Sequence, residues 1–123
     1  MATFANEASL LAYDVIREAS GASVALTWRA ETVMGKDYTI FVHLLDAQNQ
    51  MLAQSDGQPV AGLYPTHAWD PGEIIYDVHR VTMNADVLAR LDHIAIGLYT
   101  LDDGKRLPIS TGADAATFAV RAP

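Results

Sequence analysis

Along most of the chain apolar and polar residues alternate with period two rather than 3.6, the pattern of strands with one buried face. Val24, Leu26, Trp28 and Ala30 alternate with Ser23, Ala25, Thr27 and Arg29, which predicts a strand with Trp28 sealed on its inner side. Between Tyr38 and Asp46 both faces are apolar, Tyr38, Ile40, Val42 and Leu44 on one and Phe41, His43 and Leu45 on the other. A strand apolar on both faces belongs in the middle of a sheet. The polar run Asp46 to Gln50, with Asn49 suited to left-handed backbone, turns the chain into a hairpin partner at Met51 to Asp56.

A long irregular stretch follows from Gly57 to Gly72, where Pro59, Pro65 and Pro71 remove ladder donors. In the next strand, Glu73 to Met83, residues Ile74, Tyr76 and Val78 share one face and Val81 and Met83 the other. That change of parity predicts a β-bulge near His79 and Arg80. Asn84 to Leu91 holds neither Gly nor Pro and predicts a short helical turn capped by Asn84 or Asp86. His93 to Leu101 alternates again, and Asp102-Asp103-Gly104-Lys105 supplies a turn. With Ser9 to Val15, Arg106 to Ser110 and Ala116 to Arg121, the pattern predicts an all-β chain. Its architecture is an immunoglobulin-like two-sheet β-sandwich of about eight strands, with one long loop and a short helical turn.

Composition narrows what such a sandwich can do. With 123 residues, half of them hydrophobic, the expectation is one ordered domain over residues 1–123. A net charge of −7 with only eight basic residues, scattered from Arg17 to Arg121, excludes nucleic acid and anionic membrane as partners, since both are held by clustered cations. The absence of cysteine removes disulfides, thiolate metal sites and a thiol nucleophile together. No apolar run approaches the ~18 residues of a spanning helix, so direct membrane insertion by this segment is not expected. Strand-like sequence close to both ends suggests either a module cut from a longer chain or a natural short protein, and if the parent protein is exported or anchored the signals for it lie outside this segment.

The chemistry-bearing residues concentrate in the long loop: Tyr64, His67, Trp69 and Asp70, with Gln54, Asp56 and Gln58 just before them. Aromatic faces stack on sugar C–H surfaces while carboxylates and amides bond the hydroxyls, so this set suits a glycan. The same aromatics suit the pinning of a loop onto the sandwich edge. His43 and His79 invite a metal-dependent hydrolase if they converge in space, although no histidine pair stands at ligand spacing. Asp102 and Asp103 could assist calcium but serve a turn equally well. There is no nucleophile elbow, phosphate-cradling loop or dinucleotide fingerprint, so no catalytic residue, no metal and no cofactor is assigned, and the chain is not expected to be an enzyme.

Four sets of residues together resemble a known family. They are Asp37-Tyr-Thr-Ile-Phe-Val-His-Leu-Leu-Asp46, then Ala53-Gln-Ser-Asp-Gly57, then Tyr64-Pro-Thr66 with Trp69-Asp-Pro-Gly-Glu73, and Gly97-Leu-Tyr99 with Arg106-Leu-Pro108. They resemble the β-sandwich module that follows the membrane-spanning part of bacterial glycosyltransferase family 39-like proteins, relatives of protein O-mannosyltransferases. Asn84 to Leu91 departs from that pattern, in which prolines and a glycine usually precede the Gly-Leu-Tyr strand. The resemblance implies an extracytoplasmic setting, periplasmic or at the cell surface, and a non-catalytic accessory role, interaction or structural, beside a glycan-related membrane protein. The partners this leaves are a glycan, another protein domain, or a second copy paired through an edge strand.

Overall fold

The alternating segments form eight strands: β1 (Ala2–Phe4), β2 (Ala8–Glu18), β3 (Gly21–Ala30), β4 (Thr39–Leu45), β5 (Met51–Gly57), β6 (Ile74–Thr82), β7 (His93–Tyr99) and β8 (Ala116–Ala119). The computed structural model describes residues 1–121, so residues 122–123 of the expected domain lie outside the described residues. The strands build two antiparallel sheets, ordered β1-β2-β3-β6 and β5-β4-β7-β8. The chain changes sheet after β3, after β5 and after β6. That is the crossing pattern of an immunoglobulin-like sandwich, as the strand periodicity predicts.

Trp28 is fully buried, and with Leu26 and Val24 of β3 it joins one core with Ile40, Val42 and Leu44 of β4 and Ile94, Ile96 and Leu98 of β7. Burying each such side chain contributes about 1.5–3 kcal/mol, which makes this layer the main source of stability. Gly21 opens β3 because a Cβ there would run into the Val81 carbonyl of the neighbouring strand. The turns follow the sequence expectation: Asn49 has φ 63° and Gly104 φ 70°. Asp46 Oδ1 accepts from the backbone N–H of Gln48 and Gln50, both at 2.9 Å, which holds the β4–β5 turn. A short helix α1 (Ala85–Leu88) is capped by Asn84, whose Oδ1 accepts from Val87 N at 2.9 Å.

Two sequence expectations are corrected. Arg106 to Ser110 is not a strand but a strap between the sheets. Leu107 N donates to Leu98 O of the second sheet at 2.9 Å, whereas Pro108 O accepts from Ala5 N beside the first at 2.8 Å. Proline lacks the donor that a continuing ladder needs. The eighth strand is instead β1, whose three residues pair with Ala8 to Leu10. The second correction concerns β6, which runs from Gly21↔Thr82 to Arg29↔Ile74 without a bulge. Register shifts occur instead in β2, between Leu10 and Ala12, and in the β4–β5 pairing at Leu44 and Leu45.

With an unbroken register, Ile75, Asp77, His79 and Val81 of β6 face the core, and Ile74, Tyr76 and Val78 face solvent. Two polar side chains can face inward because they satisfy one another. His79 Nε2 and Asp77 Oδ2 lie 2.6 Å apart, and Asp77 Oδ1 accepts from Val60 N at 2.8 Å. This buried pair therefore fastens the start of the long loop to the sheet edge.

Candidate functional site

The long loop is an anchored strap. It contains two short 3-10 turns, Pro59–Gly62 and Thr66–Ala68. Thr66 is fully buried, and its hydroxyl donates to Lys36 O at 2.7 Å while accepting from Tyr38 N at 2.9 Å. Trp69 is 1% exposed in the core, with Nε1 donating to Tyr64 O at 2.9 Å. Tyr64 donates to a Glu73 carboxylate oxygen, a bond that pushes the phenol up to about 12 and holds the Glu73 carboxyl below its ordinary value. His67 is exposed, and its Nδ1 lies 2.6 Å from Asp37 Oδ1, which lowers the Asp37 pKa. Asp70 is exposed, and its backbone N–H donates to the Glu73 carboxylate at 2.9 Å. A ring that stacks on a sugar needs an open face, and Trp69 presents none.

Gln54 and Asp56 belong elsewhere. They sit on β5 in register with His43 and Phe41 of β4, on the outer face of the second sheet and apart from the buried Trp69. Across β4 on the other side, Gly97 is the register partner of Phe41 and Tyr99 that of Thr39. Strand alternation thus gathers Phe41, His43, Gln54, Asp56 and Tyr99 on one face, away from the core. The turn at Gly104 then returns Arg106 to pair with Tyr99. Phe41, His43, Asp56, Tyr99, Gly104 and Arg106 line a cavity of about 180 Å³.

Each residue type has a physical role in this cup. Gly97 permits it: a Cβ there would sit under 3.0 Å from Cε2 and Cζ of Phe41, so the tip of the ring rests against bare backbone. Phe41 is 1% exposed because other side chains roof it. The Arg106 guanidinium carbon stands 4.3 Å from its ring centroid, and the His43 ring centroid 4.8 Å away. Tyr99 donates its hydroxyl to Asp56 Oδ2 at 2.8 Å, which raises the phenol pKa. Burial lowers the His43 pKa; the Asp56 carboxylate opposes this and Arg106 adds to it, so the imidazole is neutral near pH 7.

What separates the cup from the loop is which polar groups already have partners. Thr66 and Trp69 direct their hydrogen bonds inward, and Tyr64 bonds the Glu73 carboxylate at the loop's end. Among the described residues, by contrast, the Gln54 amide and the His43 imidazole hold no hydrogen bond, and Asp56 uses only Oδ2. Arg106 makes one long bond of 3.4 Å to Asp114. The cup therefore offers an acceptor, an amide, a neutral imidazole and several guanidinium N–H donors around aromatic rings.

The convergence of His43 and His79 that a metal site would need does not occur. His43 lies on the outer face of the second sheet, and His79 points inward from the first. His79 instead stands between Asp77 and the Ser55 hydroxyl, 3.5 Å from Nδ1. Asp77 and His79 are 0% and 5% exposed, and Asp77 spends its second carboxylate oxygen on Val60 N, which ties the pair to the loop. Their arrangement is that of a fastening. Sequence reading passed over Phe41, Tyr99 and Arg106, for which one local signal existed: a glycine inside the β7 strand pattern marks a close approach by another group.

No protein-family model and no curated protein matches the chain.

Proposed function

We propose that the chain is a non-catalytic accessory module that works through the outer face of its second sheet, outside the cytoplasm and beside a glycan-related membrane protein. The observation that carries this reading is a contrast in access: the loop's Thr66 and Trp69 are buried and bonded inward, whereas the sheet face gathers Phe41, His43, Asp56, Tyr99 and Arg106 round an open cavity. His43 is half-buried with no protein partner among the described residues, while Gln54 and Asp56 are exposed, so the face presents polar groups within reach of another molecule. The setting rests on the family resemblance.

Because the chain has no cysteine, single thiol labels test both parts in the native reading frame. Gln48→Cys places a label at the β4–β5 turn, and Gln54→Cys places one on the face. With a membrane-impermeant maleimide and mass spectrometry of the peptide, the reading expects position 48 to react in intact cells. Position 54 should be protected relative to the isolated domain. Labelling of position 48 only after lysis overturns the setting, and equal reactivity of position 54 in both contexts overturns the working face.

A further inference from the structure

Resting on that choice of face, we infer that the cup formed by Phe41, His43, Asp56, Tyr99 and Arg106 is a subsite for one neutral hexopyranose ring. The size argues first. A cavity of about 180 Å³ is smaller than the roughly 300 Å³ at which pockets for drug-sized ligands begin, and it suits a single ring. It also opens on a sheet face, where a sugar can enter as the end or the edge of a longer glycan.

The charges argue second. Arg106 is the only cationic side chain in the lining, and it faces Asp56 across the cup and Asp114 at 3.4 Å, within a chain of net charge −7. A phosphate or sulfate would meet those carboxylates. A divalent cation, which needs several hard oxygen ligands, would find one carboxylate with a guanidinium beside it. A neutral polyol fits both charges, because each hydroxyl donates and accepts. Asp56 Oδ1 accepts from one hydroxyl, and guanidinium N–H groups donate to another.

The third argument is the rigidity of the polar groups. Tyr99 holds Asp56 through Oδ2 at 2.8 Å, and Phe41 carries the guanidinium at 4.3 Å. Donor and acceptor are thus set before the ligand arrives, which reduces the entropy lost on binding. The partly exposed Tyr99 and His43 rings supply apolar surface for the sugar C–H groups. Gln54, next to Asp56 on the same face, extends the polar rim.

The test is a titration of the isotope-labelled domain with the methyl glycosides of glucose, mannose, galactose and N-acetylglucosamine, followed by amide chemical shifts. The inference expects saturable shifts for at least one glycoside, centred on residues 41, 43, 56, 99 and 106. Asp56→Asn keeps an acceptor for Tyr99 but loses the carboxylate and should weaken binding about tenfold. Gln54→Ala removes a side chain with no internal bond, so it reads the rim even if Asp56→Asn fails to fold. No saturable shift with any of the four sugars overturns the subsite, as does saturation elsewhere on the surface. Inorganic phosphate, titrated at matched ionic strength, should leave the cup unmoved, and phosphate binding there in place of sugar overturns the neutral ligand. Any of these failures leaves position 54 free to be protected in the native protein, so the subsite and the working face fail separately.

Discussion

Gly97→Ala is the sharpest perturbation of the cup, because it adds one methyl to the outer sheet face and nothing to the core. The new Cβ would lie under 3.0 Å from two carbons of the Phe41 ring and 3.1 Å from the Asp114 carbonyl oxygen. The ring tip is the movable partner, yet it is roofed by Arg106 and flanked by His43 and Tyr99, so it cannot rise without displacing them. Overpacking of this kind costs about 1–3 kcal/mol, and losing the guanidinium contact adds about 0.5–1 kcal/mol. We expect a loss near 2 kcal/mol, read as a lower urea midpoint at unchanged slope. Phe41→Leu shortens the obstructing ring, so Gly97→Ala should cost less in that background, with a coupling of about 1 kcal/mol in the double-mutant cycle. A stability change within about 0.5 kcal/mol, or strict additivity with Phe41→Leu, refutes the claim that Gly97 is there to seat the ring.

Three other outcomes follow from single groups. Thr39 is buried with a hydroxyl that has no partner among the described residues, so Thr39→Val should stabilise by about 1 kcal/mol in chemical denaturation. Asp77→Ala strips a buried imidazole and the Val60 N–H of their acceptor and should cost about 3–5 kcal/mol, with faster proteolysis of the loop after Gly57. The His43 pKa is lowered by burial, so below its unfolded value of about 6.5 the unfolded chain takes up the proton more readily and stability falls. Urea midpoints measured from about pH 7.5 to about pH 5 should decline in the parent and flatten in His43→Gln, and an equal decline in both refutes the assignment.

The β6 strand shows how far periodicity reaches. Alternation puts Ile74, Tyr76 and Val78 on one face, as the structure does, but predicts a bulge that the structure lacks. Period two defines two faces without saying which is buried, and a shift of one residue exchanges them all. The inward side instead holds Ile75, Asp77, His79 and Val81, because the carboxylate and imidazole pair at 2.6 Å and Asp77 also takes the Val60 N–H. That solution depends on a loop seventeen positions away in sequence, which no local window contains. The buried pair makes the bulge unnecessary.

The cup was hidden for a related reason. Its residues come from β4, β5, the end of β7 and the returning strap, and only strand order and register bring them together. The loop drew attention because Tyr64, His67, Trp69 and Asp70 are close in sequence, yet closeness there serves to tie the loop down: Trp69 bonds Tyr64, Tyr64 bonds Glu73, and Thr66 bonds Lys36 and Tyr38. A contiguous cluster of polar and aromatic residues can satisfy itself, since each member has the others within reach. Groups distributed over separate strands meet only once strand order and register are set, as Tyr99 of β7 meets Asp56 of β5 at 2.8 Å. On this argument the register partners of Gly97 and Phe41, more than the composition of any loop, identify where this sandwich can meet another molecule.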